Sequence, residues 1–365
     1  MYRKSSIIKI LASVAVGAVA LAGCGGGASS GSGGTASGPK APPSVAIATS
    51  GTYITIFAPL WAAKPDLDKV AEKYGTKISF TPFGKGGDAQ TALLGGSAQV
   101  NAGTSSSDTA EAAAKAQPLV AAANMFTGGG VVLVGAKKYE AERGTDIAKY
   151  GGGAWGYTAE GSSSMVASVA IAEHAGLSWA DQKGVALGSV AAFEPALQSG
   201  RADIVAMDPT SAAKAIANGN GYPVLNTNDA KVFEPVSGTI LGNSIVVTDE
   251  FRNQYPEFTQ AVVTAFISGL NKVKNVTDPN AAYAMMPPEY QKAHPNDAQF
   301  ANEWALCQPA FAITDGSYSP QAIADTLKTT ELTPEQQQSP QIKGLFDNSY
   351  VDAAYKELNI PRQSG

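Results

Sequence analysis

Short apolar runs alternate with segments of helical spacing along the first third of the folded chain. Four runs have the length and the aliphatic content of strands: residues 45–48, 77–80, 99–102 and 131–134. The segments between them are predicted to be helices: residues 56–61, 88–94 and 108–117. Asp108 is the expected N-cap of the third helix because Glu111 follows three residues later. Strands that alternate with helices predict a largely parallel α/β sheet.

The same alternation begins again in the middle of the chain. Residues 155–158 predict a strand, residues 161–164 a polar loop and residues 165–174 a helix. Residues 92–100 and 196–204 share one plan, in which a helix end, a tight glycine turn and a strand follow one another. This internal similarity predicts two lobes of the same α/β architecture.

The last third of the chain is predicted to be helical after one more strand, at residues 239–247. A helix at residues 258–273 places Val262, Phe266 and Leu270 on one face. A chain that leaves the first lobe and returns to it would cross a hinge twice. The predicted organisation is a first lobe at residues 44–140 and 246–365, a second lobe at residues 141–245, and crossings near residues 136–150 and 236–246.

The N-terminus has the layout of a secretory signal peptide. Three basic residues precede an apolar run at residues 10–21, which is shorter than the roughly 18 residues that a spanning helix needs. The run ends in Leu21-Ala22-Gly23-Cys24, which resembles the bacterial lipobox. This resemblance implies a signal peptide at residues 1–23, a lipid on Cys24 and an extracytoplasmic location at the cell membrane. The Gly/Ser-rich residues 24–43 would form a flexible tether; an uncleaved apolar N-terminus is the alternative.

Composition excludes several classes of function. The net charge is −5, charged residues make up 16% of the chain, and no basic run is present, so nucleic acid is not an expected partner. With Cys24 lipidated, Cys307 has no partner for a disulfide and is expected to be a packed thiol. The two histidines, His174 and His294, fit no metal-ligand spacing, and the sequence has no nucleophile elbow, Walker loop or dinucleotide fingerprint. We therefore expect a protein that is not an enzyme and that holds no cofactor or metal.

Hydroxyl and glycine residues are concentrated where predicted strands lead into helices. Ligands of open α/β sheets bind at such loops, and helix N-termini attract anions through free N–H groups. Tyr53 and Phe193 are placed to form walls of a pocket, while Asp208 would either accept a hydrogen bond from a ligand or begin a turn. The alternative for the serines is that they only cap their helices. The candidate ligand-binding residues are Ser50, Gly51, Thr52, Tyr53, Thr104, Ser105, Ser106, Gly161, Ser162, Ser163, Ser164, Phe193 and Asp208.

Several segments in a fixed order resemble the solute-binding proteins of ABC importers, within them the nitrate, sulfonate and taurine type. The resemblance extends over roughly residues 44–355 and depends on five segments: residues 81–87, 94–103, 161–164, 196–203 and 346–350. In this family the Gly-Ser-Ser loop and the loop after the glycine-turn strand hold the anionic group of the ligand. This chain departs from the family at Met207-Asp208-Pro209, where many relatives have Trp before the acidic residue, and at residues 50–53.

The resemblance implies a two-lobed periplasmic-binding-protein fold, type II-like, in which each lobe is a mostly parallel sheet flanked by helices. A lipid-anchored monomer of this kind would capture a small organic anion and deliver it to an ABC permease with its ATPase. A ligand sensor of the same fold remains open, as does binding of an aromatic acid or a pyrimidine precursor. An enzyme related to the pyrimidine-precursor synthases is disfavoured, because those enzymes need a reactive His and a cysteine-rich segment.

Overall fold

The computed structural model describes residues 40–296 and 298–362. The predicted signal peptide, the lipidation site Cys24 and most of the predicted tether lie outside these residues. Within the described ranges, no helix combines the length and the apolar character that crossing a bilayer requires.

The described residues form ten strands in two sheets of five. The strands are β1 (Ser44–Ser50), β2 (Lys77–Phe83), β3 (Val100–Asn101), β4 (Leu119–Asn124), β5 (Val132–Ala136), β6 (Ala154–Tyr157), β7 (Lys183–Ala186), β8 (Ile204–Met207), β9 (Gly221–Asn226) and β10 (Ser244–Thr248).

The two sheets have the same topology. The order of the first sheet is β2-β1-β3-β10-β4, and that of the second is β7-β6-β8-β5-β9. In each sheet four strands run in one direction and the fourth strand in the order is antiparallel to both of its neighbours. β3 and β8, which follow the two similar glycine turns, occupy the same position in their sheets. The predicted repetition of one α/β plan is confirmed.

Eighteen α-helices flank the sheets in the described part of the chain. They are α1 (Ala58–Ala62), α2 (Lys64–Tyr74), α3 (Gly86–Leu94), α4 (Ser106–Ala114), α5 (Glu140–Arg143), α6 (Ser163–His174), α7 (Phe193–Ser199), α8 (Pro209–Ala217), α9 (Ala230–Ser237), α10 (Asp249–Gln254), α11 (Pro256–Val273), α12 (Pro279–Ala284), α13 (Pro288–Ala293), α14 (Ala298–Ala312), α15 (Pro320–Lys328), α16 (Pro334–Gln337), α17 (Pro340–Lys343) and α18 (Ser349–Leu358).

The main core of the first sheet is organised around α11. Val262, Phe266 and Leu270 repeat every four residues and are fully or almost fully buried, as the sequence spacing predicts. The helix packs against α1, α2 and α18. Gly269 permits the contact with α1, because a Cβ at this position would collide with the carbonyl oxygen of Pro59. The C-terminal helices thus return to the first sheet.

The chain passes between the sheets twice, and the first passage comes earlier than predicted. β5 lies in the second sheet, antiparallel to β8 and β9, so the chain leaves the first sheet between Asn124 and Val132 and not at residues 136–150. The apolar run at 131–134 indicates a buried strand, but its composition does not reveal which strands it pairs with. The return lies between Ser237 and Ser244, within the predicted window of 236–246. The last predicted strand is shorter than residues 239–247, because β10 begins at Ser244.

Candidate ligand-binding cleft

A cavity of about 320 Å³ lies where the strand ends of the two sheets meet, and its volume is in the range of small-molecule sites. Its walls come from the segments that follow β1, β2, β3, β4, β6, β7 and β8, as expected for an open α/β sheet. The polar lining residues are Ser50, Lys85, Ser105, Asp108, Thr158, Glu160, Ser162, Ser163, Ser164, Asp208 and Asn243. The larger apolar ones are Ile54, Ile56, Phe57, Phe126, Val131, Val190 and Phe193.

Seven of the residues predicted from the sequence border this cavity: Ser50, Ser105, Ser162, Ser163, Ser164, Phe193 and Asp208. The other six do not border it: Gly51, Thr52, Tyr53, Thr104, Ser106 and Gly161. The structure therefore brings together part of each predicted loop.

Packing and hydrogen bonding explain why the six lie elsewhere. The ring of Tyr53 packs against those of Trp61 and Tyr290, with centroid distances of 5.3 and 6.3 Å. Thr104 Oγ1 donates to the carbonyl oxygen of Gly86 at 2.8 Å. Ser106 is fully buried, and its Oγ donates to the carbonyl oxygen of Gly242 at 2.7 Å.

The remaining three belong to turns. Gly51 and Gly161 have φ values of +79° and +74°, so both adopt the left-handed backbone conformation that their turns require and that glycine tolerates best. Thr52 is exposed next to Gly51. None of the three borders the cavity.

The turn before α6 leaves one serine side chain free. Ser162 is the N-cap: its Oγ accepts from the backbone N–H of Met165 at 3.4 Å and donates to the carbonyl oxygen of Ala159 at 2.6 Å. Ser164 Oγ accepts from the backbone N–H of Thr158 at 3.0 Å. The hydroxyl of Ser163 makes no hydrogen bond to any described residue. Ser163 therefore presents a free hydroxyl to the cavity at the first turn of a twelve-residue helix.

The turn before α4 differs from the prediction. The N-cap is Ser105, whose Oγ accepts from the backbone N–H of Asp108 at 3.1 Å, and not Asp108. Asp108 is in the first turn of the helix, and its side chain borders the cavity. Burial raises the pKa of the Asp108 carboxyl to about 7, and repulsion from Glu111 adds to this rise, whereas a hydrogen bond with Ser105 opposes it.

Asp208 both caps a helix and faces the cavity, so the two roles left open by the sequence coexist. Its Oδ1 accepts from the backbone N–H of Ser211 at 2.9 Å, and its Oδ2 accepts from Ser211 Oγ at 2.5 Å. Burial raises the pKa of this carboxyl, although the hydrogen bonds from Ser211 oppose the effect and the charge of Glu303 adds to it.

Five polar residues of the cavity were not among the predicted site residues: Lys85, Asp108, Thr158, Glu160 and Asn243. Lys85 precedes α3 just after β2, and Glu160 follows β6, so the rule that ligands bind beyond strand ends could have identified both. Glu160 accepts a hydrogen bond from the Tyr157 hydroxyl at 2.5 Å, and burial together with this carboxylate raises the pKa of Tyr157 to about 12.

The residues that would most readily suggest catalysis lie away from the cavity. Neither histidine borders the cavity. His174 is the last residue of α6, and the ring of His294 stacks on the ring of Tyr290 with a centroid distance of 4.4 Å. Cys307 is a free, buried thiol whose pKa is raised by burial, as the prediction of a packed thiol requires. Within residues 40–296 and 298–362, no group of three or more His, Cys, Asp or Glu side chains could hold a metal ion.

Solved structures identify the architecture. No protein-family model matches the chain, and no curated protein matches its sequence. A protein from Bordetella bronchiseptica superposes with a TM-score of 0.72 at 20% identity, covering 87% of this chain and 98% of that one. The periplasmic nitrate-binding protein NrtA from Synechocystis superposes with a TM-score of 0.68 at 10% identity, covering 88% of this chain and 91% of that one. The aliphatic sulphonate-binding protein SsuA from Escherichia coli superposes with a TM-score of 0.61 at 19% identity, covering 85% of this chain and 99% of that one. The chain has the periplasmic-binding-protein fold.

In this periplasmic-binding-protein fold the two halves also touch beside the cavity. The backbone N–H of Thr55, before α1, donates to Thr210 Oγ1 in α8 at 3.0 Å. Thr55 Oγ1 in turn donates to Glu303 of α14 at 2.7 Å. α14 packs against α8, whose first residue follows the cavity residue Asp208. Through Thr210, α8 therefore joins the segment after β1 to the second sheet beside the cavity.

Proposed function

We propose that this protein is the extracytoplasmic solute-binding component of an ABC importer. It would capture a small organic anion of the sulfonate, taurine or nitrate kind between two lobes and deliver it to the permease and its ATPase. One lobe would contain the first sheet with the C-terminal helices, the other would contain the second sheet with β5, and the protein would act as a monomer.

The observation that carries this proposal is the cavity between the carboxyl ends of two equivalent sheets. Ser50 and Ser163, whose hydroxyls have no hydrogen-bond partner among the described residues, border it together with the first turn of α6. Backbone N–H groups at such a turn bind negative charge without help from Lys or Arg. The NrtA and SsuA proteins, which share the fold, are binding proteins for nitrate and aliphatic sulphonates by name. Together these features support capture of a small solute better than catalysis.

Two alternatives use the same cleft. A ligand sensor would bind its solute in the same way but pass occupancy to a different membrane partner. An aromatic acid or a pyrimidine precursor would stack on the ring of Phe193 or Phe57. Aromatic acids belong in the same screen as sulfonates and nitrate for this reason.

A thermal-shift screen of the full chain tests the proposal. The panel contains ethanesulfonate, 2-aminoethanesulfonate, nitrate, bicarbonate and benzoate. A ligand present at 100 times its Kd stabilises the folded state by about 2.7 kcal/mol, which is well above the noise of such measurements. At saturating ligand, small-angle scattering should show a more compact particle. Absence of binding across the panel would contradict the proposal. Binding without compaction would contradict only the closure of the two lobes around the ligand.

The lipid anchor is part of the same proposal and needs a separate test. The thiol of Cys24 would carry the lipid, and cleavage would occur before it. Cys24→Ser should therefore give an unlipidated protein that no longer partitions with membranes after its signal segment is removed. A Cys307→Ser variant, which keeps Cys24, is the matched control. Membrane partitioning of a processed Cys24→Ser protein would contradict the anchor.

A further inference from the structure

The lining of the cavity has more acidic than basic side chains. Asp108, Glu160 and Asp208 contribute three carboxyl groups, against the single ammonium group of Lys85 among the described lining residues. The Lys85 ammonium lies 3.9 Å from the carboxylate of Asp88, and no ion pair within residues 40–296 and 298–362 involves the three acids. When these acids are ionised, an entering anion meets an excess of negative charge.

The acidic surroundings continue behind the wall that Asp208 forms. Glu303 of α14 is 1% exposed, and its charge adds to the effect of burial in raising the pKa of Asp208. The Nδ1 atom of His294 lies 3.4 Å from Glu303 Oε2, so this basic side chain contacts Glu303 and not Asp208. The cavity therefore receives no counter-charge from behind this wall.

Asn243 gives independent evidence that the cavity is short of hydrogen-bond donors. The residue is 7% exposed, and its Nδ2 donates to the carbonyl oxygen of Ala102 at 3.0 Å. Its Oδ1 has no donor among the described residues, while the residue borders the cavity. Buried acceptors are normally satisfied, and an anion brings further acceptors but no donor. A proton that accompanies the anion would supply a donor and reduce the negative charge together.

Asp108 is the lining carboxyl group that is best placed to hold this proton. The Asp208 carboxylate accepts two hydrogen bonds from Ser211, at 2.9 and 2.5 Å, and Glu160 accepts one from Tyr157 at 2.5 Å, which favours the charged form of both acids. Asp108, by contrast, is not the cap of its helix, and burial raises the pKa of its carboxyl to about 7.

The groups around Asp108 do not reverse this preference. Glu111 on the same helix adds to the rise of the pKa, whereas a hydrogen bond with Ser105 opposes it. The charged residues across the cavity are Lys85, Glu160 and Asp208. Those of α15 and α17, which pack against α4, are Asp325, Lys328 and Lys343. Lys328 pairs with Asp325 at 2.8 Å, so its charge is already balanced.

We infer that the cleft binds its anion together with a proton, which resides on the carboxyl group of Asp108. The neutral acid donates its O–H to the anion, and the first turn of α6 donates from the second sheet. Each anion that binds to the ionised protein takes one proton from the solvent, and the proton returns when the anion leaves. This inference rests on the proposed function and concerns the regulation of that same site: the affinity falls as the pH rises.

Anions of strong acids provide the test, because ethanesulfonate and nitrate do not titrate near neutral pH. A carboxyl group with a pKa of about 7 is about nine-tenths neutral at pH 6 and about one-tenth neutral at pH 8. If the neutral form alone binds, the Kd for ethanesulfonate should rise about tenfold between these pH values. Isothermal titration of the full chain in a cationic buffer measures this change.

A pH-stat measures the proton itself. Addition of sodium ethanesulfonate to the unbuffered full chain at pH 8 should consume about one proton for each anion bound. This measurement needs no variant, so it does not depend on whether a substituted protein folds.

Variants assign the proton to one side chain. Asp108→Asn replaces the acid by a neutral amide that still has a donor, so at pH 8 it should bind ethanesulfonate about tenfold more tightly than the wild type and consume no proton. Asp181→Asn removes an exposed carboxylate and should behave as the wild type. Loss of proton uptake in Asp208→Asn but not in Asp108→Asn would show that the assignment to Asp108 is wrong.

Two negative results have different meanings. Binding of ethanesulfonate or nitrate with equal affinity at pH 6 and pH 8, and without proton uptake, would overturn the inference and leave the proposed function standing. No binding of either anion at either pH would contradict the capture of such anions in the proposed function, and the inference with it.

Discussion

The serine-rich turn before α4 and the one before α6 have similar sequences, yet the fold uses them differently. In the first, Ser106 is fully buried and donates to the carbonyl oxygen of Gly242 at 2.7 Å, with Ser244 Oγ at 2.9 Å. In the second, Ser163 follows the N-cap in the same way but its hydroxyl has no partner in the described chain. The first turn contributes an acid to the cavity, Asp108, and the second contributes a free hydroxyl donor.

The difference follows from what lies beside each turn. α4 begins next to the segment at residues 242–244, which brings the chain back from the second sheet into β10 and supplies both partners of the Ser106 hydroxyl. The turn before α6 is bonded mainly to itself, through Thr158, Ala159 and Ser164. Composition therefore identifies a polar turn, but the neighbouring strand decides whether its hydroxyls hold the fold or remain available to a ligand.

The largest expected effect is the loss of stability in Ser106→Asp. This change puts a carboxylate in a fully buried position between the carbonyl oxygen of Gly242 and the hydroxyl of Ser244. A buried charge without a counter-ion lowers the free energy of unfolding by several kcal/mol, which is similar to the cost of removing one partner of a buried ion pair. Chemical denaturation should show a loss of at least about 3 kcal/mol or no folded protein.

Ser106→Ala is the milder companion to this variant. It removes the hydroxyl donor without adding charge, while the backbone N–H of Ser106 still donates to the carbonyl oxygen of Gly242 at 2.9 Å. The change should therefore cost only about 0.5–1.5 kcal/mol. A Ser106→Asp protein as stable as the wild type would show that the two turns are equivalent, and the comparison would fail.

The doubled fold was predictable because its signals are local. The glycine turns in residues 92–100 and 196–204 directly precede the strands β3 and β8, and these two strands occupy equivalent positions in the two sheets. The pairing of β5 was not predictable, since an apolar run does not encode its neighbours. The acidic character of the cavity was missed for a related reason: Asp108 fits the pattern of an N-cap, and only the position of Ser105 shows that the cap is already filled.

The second expected effect is a pH dependence of stability that comes from Asp108, the acid in the turn before α4. The pKa of Asp108 is about 7 in the folded protein, against 3.8 ordinarily, so the folded state binds a proton that the unfolded state releases between these values. Stability is therefore lost as the pH rises from about 4 to about 7. Asp108→Asn removes this loss, and its stability relative to the wild type should improve by about 2–3 kcal/mol between pH 5 and pH 8.

Denaturation curves at pH 5 and pH 8, without ligand, measure this difference. The charged groups near Asp108 are Glu111 on its own helix and Lys85, Glu160 and Asp208 around the cavity, and all are present in both proteins. Asp181→Asn should show no such pH dependence, because Asp181 is exposed. If the gap between Asp108→Asn and the wild type were the same at both pH values, the carboxylate of Asp108 would not be buried in the empty cleft.

The smallest expected effect concerns affinity alone. Ser163→Asp puts a fixed negative charge at the first turn of α6, where the anionic group is proposed to bind. Ethanesulfonate, which has no cationic end, should bind at least about tenfold more weakly, a loss of about 1.4 kcal/mol measured by titration. The unfolding free energy should not fall, since a carboxylate at a helix N-terminus interacts favourably with the dipole. Ser163→Ala removes only the hydroxyl and should weaken binding less, because the backbone N–H groups remain. Unchanged affinity in Ser163→Asp would place the anion elsewhere and reduce the turn before α6 to a helix cap, like its counterpart before α4.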